Sequence, residues 1–164
     1  MPIEVVLEGD CWKAVDLVGL ANKGFYAAMQ YFELDPKFYG VEMLACDDNR
    51  IIELNSHFCG IERATNVLSW PSVDRSPKKA GQFPLAITSK GQYFLGDIAI
   101  SYDTCAREAN GSKTNIEHHV LQLIVHAILH LMGFDHKNVV DADLMETIEV
   151  EILGKMGIDS PYNH

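Results

Sequence analysis

Basic side chains are scarce in this sequence of 164 residues: 13 Lys and Arg stand against 23 Asp and Glu, and the formal net charge is −10 at pH 7. A protein that binds nucleic acid over its whole surface needs an excess of positive charge, which this chain does not have. The central part is an exception, because residues 50–113 carry eight basic side chains against six acidic ones. The composition therefore excludes a uniformly basic surface and allows one local strip that accepts an anionic polymer.

Long hydrophobic runs are also missing, and no run reaches the roughly 20 residues that a membrane-spanning helix needs. The first residues, Met-Pro-Ile-Glu-Val-Val, lack the basic and apolar regions of a signal peptide. The four cysteines are scattered without Cys-x-x-Cys spacing, which is typical of reduced thiols: Cys11, Cys46, Cys59 and Cys105. We therefore expect a cytoplasmic protein with no membrane partner.

The spacing of apolar residues predicts the secondary structure. Alternation predicts strands at 3–8, 41–46, 67–70 and 94–100, and helical spacing predicts helices at 12–33, 47–58, 101–111, 114–132 and 141–155. The string from Thr114 to Glu117 fits a capping box that begins the fourth helix. Because strands and helices do not alternate regularly, we predict the α+β class, with residues 1–164 forming a single domain in which a mixed sheet packs against helices.

The most informative motif occupies residues 126–136 and reads His-Ala-Ile-Leu-His-Leu-Met-Gly-Phe-Asp-His. His126 and His130 are four residues apart, so a helix places both rings on one face. Gly133 can end that helix in a left-handed turn and bring His136 back toward them. Three imidazoles with one coordination position left open are typical of a catalytic zinc site. Since unpaired imidazoles would be costly in such an apolar segment, we predict that these histidines bind one Zn2+ ion.

The residues around the histidines limit the chemistry. Ala127 stands where zinc proteases with this spacing carry the glutamate that acts as general base, and a methyl group cannot accept a proton. Asp135 either orients an imidazole or serves as a turn residue. His118 and His119 are interpreted as surface residues, because His119 lies about two turns before His126.

A strand segment upstream, Leu-Gly-Asp-Ile, carries two unusual residues. Gly96 inside a strand predicts a bulge or a close approach by another group. Asp97 is an acid within an apolar strand. It either serves a site or pairs with a backbone donor or a basic side chain.

Together these strings resemble the YbeY family. Four strings occur in the family's order over about residues 41–162: Thr-Asn-Val-Leu-Ser-Trp-Pro at 65–71, Leu-Gly-Asp-Ile at 95–98, the histidine motif, and Gly-Ile-Asp-Ser-Pro-Tyr at 157–162. The resemblance implies a small α+β domain with a metal in a cleft between helices and sheet. It also implies a metal-dependent, single-strand-specific endoribonuclease of ribosomal RNA maturation. In that case His126, His130 and His136 are the zinc ligands, and Asp97 is a catalytic acidic residue.

Cys59 departs from the family pattern, because the family usually has an arginine near the cleft at this position. Arginine can hold the scissile phosphate and stabilise the charge of the transition state, and cysteine cannot. Arg63, four residues on, is the candidate that replaces this charge. The basic side chains of the 75–90 loop are the alternative; these are Arg75, Lys78, Lys79 and Lys90. The smaller departure, Ala127 in place of glycine, adds only a methyl group.

The sequence thus predicts a zinc-dependent endoribonuclease that cuts single-stranded RNA. Its expected substrates are ribosomal RNA precursors, and its expected partner is the small ribosomal subunit, with a part in ribosome quality control. Two alternatives stay open. One is a zinc-dependent hydrolase of a peptide or a small phosphoester, and the other is a non-catalytic ribosome-assembly factor with structural zinc.

Overall fold

The computed structural model describes residues 3–84 and 93–162. Within these ranges the strands are β1 (Ile3–Leu7), β2 (Tyr39–Cys46), β3 (Val67–Pro71) and β4 (Tyr93–Ser101). The α-helices there are α1 (Leu17–Tyr31), α2 (Asp48–Cys59), α3 (Tyr102–Gly111), α4 (Ile116–Leu131) and α5 (Val139–Lys155), with a short 3-10 helix at Pro36–Phe38. The predicted α+β class is confirmed. Lys90 lies outside the described residues.

The four strands form one mixed sheet in the order β1-β2-β4-β3. The pairs β1–β2 and β2–β4 are parallel, and β3 runs antiparallel to β4 at the sheet edge. The register between β2 and β4 shifts at Leu95, since Gly40 pairs with Phe94 and Val41 pairs with Gly96. Gly96 has a φ of 146°, and a Cβ there would lie 2.1 Å from the carbonyl oxygen of Trp70. The bulge and the close approach predicted for Gly96 are both confirmed.

Helices cover the two faces of the sheet unequally. The larger core lies between the sheet and the helices α1, α4 and α5, and its fully buried side chains include Phe25, Ile98, Ile124 and Ile128. The smaller cluster forms under α2 on the opposite face and consists of Cys46, Ile51 and Ala99. Because α4 is apolar on nearly all sides, it is the most deeply buried helix, and its position fixes the histidine motif. In the described ranges, no helix combines the length and apolar content needed to cross a membrane.

The start of α4 differs from the prediction. Asn115 is the N-cap, and its side-chain oxygen accepts a hydrogen bond from the backbone N–H of Glu117 at 2.8 Å. Thr114 lies before the cap and contacts Ser112 through its hydroxyl. The predicted capping box between Thr114 and Glu117 is therefore wrong by one residue, because asparagine caps a helix at least as well as threonine and stands closer to its first free N–H groups.

Candidate metal site and its cleft

The three histidines of the motif lie together at the C-terminal end of α4 and in the turn that follows it. His126 and His130 are one turn apart on α4, and His136 returns from the segment before α5. Their ligand nitrogens all lie within 4.8 Å of one another. The ring centroids of His126 and His130 are 4.7 Å apart, and those of His130 and His136 are 5.1 Å apart. This cluster can bind a metal ion.

Hydrogen bonds decide which ring nitrogens face each other. Nδ1 of His126 lies 3.0 Å from a carboxylate oxygen of Glu149, and Nδ1 of His130 lies 3.0 Å from the carbonyl oxygen of Phe134. Both oxygens are acceptors, so in each neutral ring Nδ1 carries the proton and Nε2 keeps its lone pair. The two Nε2 atoms are 3.1 Å apart.

Two lone pairs at this distance repel each other unless a cation lies beside them. Tetrahedral zinc has Zn–N bonds of about 2.0 to 2.1 Å, which places two of its ligands about 3.3 Å apart. The donor set and its spacing therefore fit a zinc ion.

His130 is partly buried at the end of α4. Burial, with the charges of His126 and His136 as smaller causes, lowers the pKa of His130 from 6.5 to about 4. The ring is therefore neutral at pH 7. Since a histidine must be deprotonated to bind a metal, His130 is ready to act as a ligand without losing a proton first.

Glu149 on α5 is the buried partner of His126. It has no exposed surface, and its carboxylate accepts hydrogen bonds from His126 Nδ1 at 3.0 Å, Gln122 Nε2 at 2.7 Å and the Tyr162 hydroxyl at 2.9 Å. Burial and the adjacent Glu149 raise the pKa of Tyr162, so the phenol keeps its proton and donates.

Glu149 was not among the site residues predicted from the sequence. A signal was present in the spacing. Glu149 lies four residues after Met145 and four before Leu153, both of them buried, so all three share one helical face.

A glycine and a buried arginine hold the turn that carries His136. Gly133 has a φ of 107°, and a Cβ there would lie 2.5 Å from the carbonyl oxygen of Arg75. Arg75 is only 7% exposed, and its guanidinium donates to the carbonyl oxygens of Leu131 at 3.0 Å and Leu95 at 3.1 Å. A free carbonyl at the end of α4 is thereby satisfied, and the helix end is tied to β4. The interpretation of Arg75 as a free charge of the loop is wrong, because its guanidinium is buried on these oxygens.

A cleft of about 370 Å³ opens over the histidines between α4 and β3. Its β3 side is lined by four consecutive residues, 66–69. Side chains of a strand alternate between its two faces, so a cleft lined by four residues in a row runs along the edge of the strand. Among residues 3–84 and 93–162 β3 pairs only with β4, so within these ranges its other edge has no partner strand.

The backbone of Ser69 points into this edge. The N–H of Ser101 donates to the carbonyl of Asn66, and the N–H of Ser72 donates to the carbonyl of Leu95, both at 2.9 Å. Alternate residues of an antiparallel strand bond to the same neighbour, so even-numbered residues from 66 to 72 bond to β4. Ser69 therefore directs its N–H and C=O away from β4 and along the cleft.

Asp97 does not come together with the histidines. It lies opposite Trp70 of β3 and Glu42 of β2, while its neighbour Ile98 belongs to the core under α4. Successive side chains of a strand point to opposite faces, so Asp97 lies on the face that α2 covers. Asp97 is not among the residues that line the cleft.

Arg63 and Cys59 lie at and beyond the end of α2. Cys59 is the last residue of the helix and is exposed. Arg63 is also exposed, and its backbone carbonyl accepts a hydrogen bond from Asn55 Nδ2 at 2.9 Å. Neither side chain lines the cleft, although Arg63 precedes Asn66, the first strand-side residue of the cleft, by three positions.

The other residues near the motif have ordinary roles. Ala127 is 1% exposed and lines the cleft, so no carboxylate stands at that place. Asp135 acts as a turn residue, since its side chain accepts the backbone N–H of His136 at 2.7 Å. His119 lies 2.9 Å from a carboxylate oxygen of Glu108, nearer the start of α4, and His118 is exposed.

Three imidazoles that converge beside an open cleft in a small α+β domain form a group that can hold a metal ion, the kind of site that hydrolases use. The family model described as Endoribonuclease YbeY matches residues 12–157. The chain therefore belongs to the YbeY family, a family of endoribonucleases, which hydrolyse phosphodiester bonds.

Individual relatives agree with this assignment. The chain is 43% identical to the endoribonuclease YbeY of Jannaschia sp. strain CCS1, over 99% of this chain and 100% of the relative. It is 44% identical to that of Ruegeria sp. strain TM1040, over 99% of this chain and 96% of the relative. The solution structure of TM1509 from Thermotoga maritima matches with a TM-score of 0.58 at 19% identity and covers 99% of both chains. At that identity the match shows the fold alone.

Proposed function

We propose that this protein is a zinc-dependent endoribonuclease that cuts single-stranded RNA in the cytoplasm. It acts in ribosomal RNA maturation and ribosome quality control, with the small ribosomal subunit as partner. The observation that carries the proposal is the convergence of His126, His130 and His136 beside an open cleft, in a chain of an endoribonuclease family. The ribosomal role follows from the family resemblance.

The three histidines would hold the ion, which would supply Lewis acidity toward a phosphoryl oxygen or a water molecule. Glu149 and the carbonyl of Phe134 orient two of the rings, so their Nε2 atoms face the same point. Ala127 offers no proton acceptor. A peptide hydrolase with this spacing depends on a glutamate there, so the site supports phosphodiester cleavage better than peptide cleavage.

The shape of the cleft supports the preference for single strands. An extended strand of RNA can lie along the cleft edge of β3, where Ser69 offers an N–H and a C=O. Unpaired bases expose hydrogen-bonding edges that can meet such groups, whereas a duplex keeps those edges paired. An edge strand beside the histidines is therefore suited to a single-stranded substrate.

Positive charge at the scissile phosphate comes from Arg63 in this proposal. The guanidinium of Arg75 donates hydrogen bonds to backbone oxygens and is therefore not available to a phosphate. Cys59 stands where the family usually has arginine. Arg63 is exposed and close in sequence to the cleft end at Asn66. Asp97 lies on the other face of the sheet, so we assign it no contact with substrate.

The test compares zinc content and RNA cleavage in matched variants. His130→Ala should lose stoichiometric zinc and cleavage, while His118→Ala, an exposed histidine of the same helix, should keep both. Arg63→Ala should lower cleavage of a single-stranded RNA more than Arg107→Ala does, and Cys59→Arg should raise it. Full zinc retention or undiminished cleavage in His130→Ala would refute the site.

Cys59 also favours one rival function, a ribosome-assembly factor that has lost catalysis and keeps zinc as a structural ion. Binding of the purified protein to small-subunit particles, with no cleavage of a precursor RNA under any metal, would establish that rival. Metal-dependent cleavage of casein that is lost in His130→Ala would instead establish a peptide hydrolase.

A further inference from the structure

Glu149 is a carboxylate in a place where a purely structural role would not require one. It has no exposed surface, and its neighbours on the same face of α5, Met145 and Leu153, belong to the hydrophobic core. Burying a carboxylate is costly unless hydrogen bonds compensate for the lost water. An apolar side chain of similar size would avoid this cost, so the charge at Glu149 is explained by what it contacts.

What it contacts is a histidine of the metal-binding cluster. Both acceptor positions of Oε2 are used, one by His126 Nδ1 at 3.0 Å and one by the Tyr162 hydroxyl at 2.9 Å, while Oε1 accepts from Gln122 at 2.7 Å. Rotation of the carboxylate would break three hydrogen bonds at once. The group therefore presents a fixed acceptor to Nδ1 of His126.

We propose that Glu149 is a positioning residue that holds His126 in the tautomer able to bind metal, and that Tyr162 completes this device. With Nδ1 protonated toward Glu149, the lone pair on Nε2 of His126 faces His130. A carboxylate partner also makes the imidazole a stronger donor to a metal. The inference rests on the metal binding proposed above.

Tyr162 extends the device to the C-terminal segment. Helix α5 ends at Lys155, and the chain turns after it so that Tyr162 returns to a residue two turns back on the helix. The segment after α5 thus contributes a hydrogen bond to Glu149 and does not line the cleft over the histidines.

The chain contains a matched control for both variants. The hydroxyl of Tyr31 donates to Glu151, which is also on α5. Glu151 follows Glu149 by two residues, about 200° around the helix, so its side chain points in a different direction. Glu149→Gln and Tyr162→Phe are therefore compared with Glu151→Gln and Tyr31→Phe. The readouts are the zinc dissociation constant, by competition with a coloured chelator at one fixed neutral pH, and the His126 tautomer, from nitrogen chemical shifts of the metal-free protein.

Glu149→Gln should weaken zinc binding by about 10- to 100-fold, the usual effect of removing the hydrogen-bond partner of a ligand. Tyr162→Phe should weaken it by about 3- to 10-fold, because one hydrogen bond to the charged carboxylate is lost. The two control variants should bind zinc like the wild type, and His126 of the wild type should carry its proton on Nδ1.

Zinc binding by Glu149→Gln that equals that of Glu151→Gln would overturn the inference, and so would a proton on Nε2 of His126 in the metal-free wild type. Circular dichroism of the metal-free variants checks that each is folded. If Glu149→Gln does not fold, Tyr162→Phe and the wild-type tautomer decide. A wild type that binds no zinc would instead refute the proposed function, so the two failures are distinguishable.

Discussion

Replacing Arg75 by methionine tests whether this arginine is a structural residue or an RNA contact. The guanidinium is buried and donates four hydrogen bonds, to Leu131 O at 3.0 Å, Leu95 O at 3.1 Å, Ser72 Oγ at 2.9 Å and Phe94 O at 3.3 Å. Methionine keeps an unbranched apolar stem and removes every donor. The variant therefore leaves the packing volume in place and deletes the hydrogen bonds.

The expected loss of stability follows from the acceptors. A hydrogen bond to a charged group contributes about 1.5 to 3 kcal/mol, and an acceptor left unsatisfied in the interior costs about 1 to 3 kcal/mol. The carbonyls of Leu95 and Phe94 keep a second donor from Ser72, so the larger penalty comes from Leu131. Since the variant also removes the desolvation of a buried guanidinium, we expect a net loss of about 2 to 4 kcal/mol.

For a domain of this size each kcal/mol lowers the melting temperature by about 2 to 4 °C, so the shift should be about 10 °C. The assay is thermal and urea unfolding of the metal-free protein. Lys78→Met, an exposed change in the same loop, serves as control and should melt like the wild type. The reasoning is refuted if Arg75→Met has the melting temperature of the wild type and a lower affinity for single-stranded RNA. The guanidinium would then be a phosphate contact.

Three further predictions follow from the turn, the buried ring and the strand edge. Gly133→Ala should destabilise the protein by about 1 to 3 kcal/mol and weaken zinc binding, because of its positive φ and the 2.5 Å approach to Arg75 O. Gly60→Ala, with a φ of 70° and no atom within 4 Å of its Cβ, is the control and should cost less. The metal-free protein should lose stability as pH falls from about 6.5 toward 4. In this range His130 binds a proton in the unfolded chain but stays neutral in the folded protein, because its pKa is lower there. His130→Asn should flatten that dependence by up to about 1.4 kcal/mol per pH unit in urea unfolding, and an unchanged slope would contradict it. Ser69→Pro removes an N–H that points away from β4, so it should lower the affinity for single-stranded RNA while Ser69→Ala keeps it. Equal affinities of the two variants, measured by fluorescence anisotropy, would exclude the strand edge as a binding surface.

The histidine cluster could be predicted from the sequence because its geometry is local. His126 and His130 are joined by one helical turn, and Gly133 marks the end of that helix. Periodicity alone therefore predicts that the rings converge. The three-dimensional fold adds the depth at which the rings lie and the distant partners that orient them.

The roles of Arg75 and Glu149 could not be predicted from the sequence, because their partners are set by tertiary structure. The acceptors of Arg75 lie 20 and 56 residues away, and His126 lies 23 residues from Glu149. A charged residue is exposed by default, and only knowledge of a specific distant partner justifies placing it inside. For this reason Arg75 was predicted as an available charge of the loop, and Glu149 was not predicted as a site residue.

Asp97 shows a different limit. Alternation along β4 predicts that Asp97 and Ile98 point to opposite faces, and the structure agrees. The sequence does not say which face carries the site, since that depends on where α4 and α2 pack. The pattern was right, but the face could not be assigned from it.

All three candidate ligands lie within the eleven residues from His126 to His136, so a bound ion closes only a short loop. The entropy cost of closing a loop grows with the logarithm of its length, so this cross-link restricts the unfolded chain little. The core around Ile124, Ile128 and Leu129 is complete without the ion. Metal should therefore stabilise the native state by mass action, through RT ln(1 + [L]/Kd), and not create the fold as it does in a zinc finger. A protein built in this way can release its ion and take it up again while the rest of the chain stays folded.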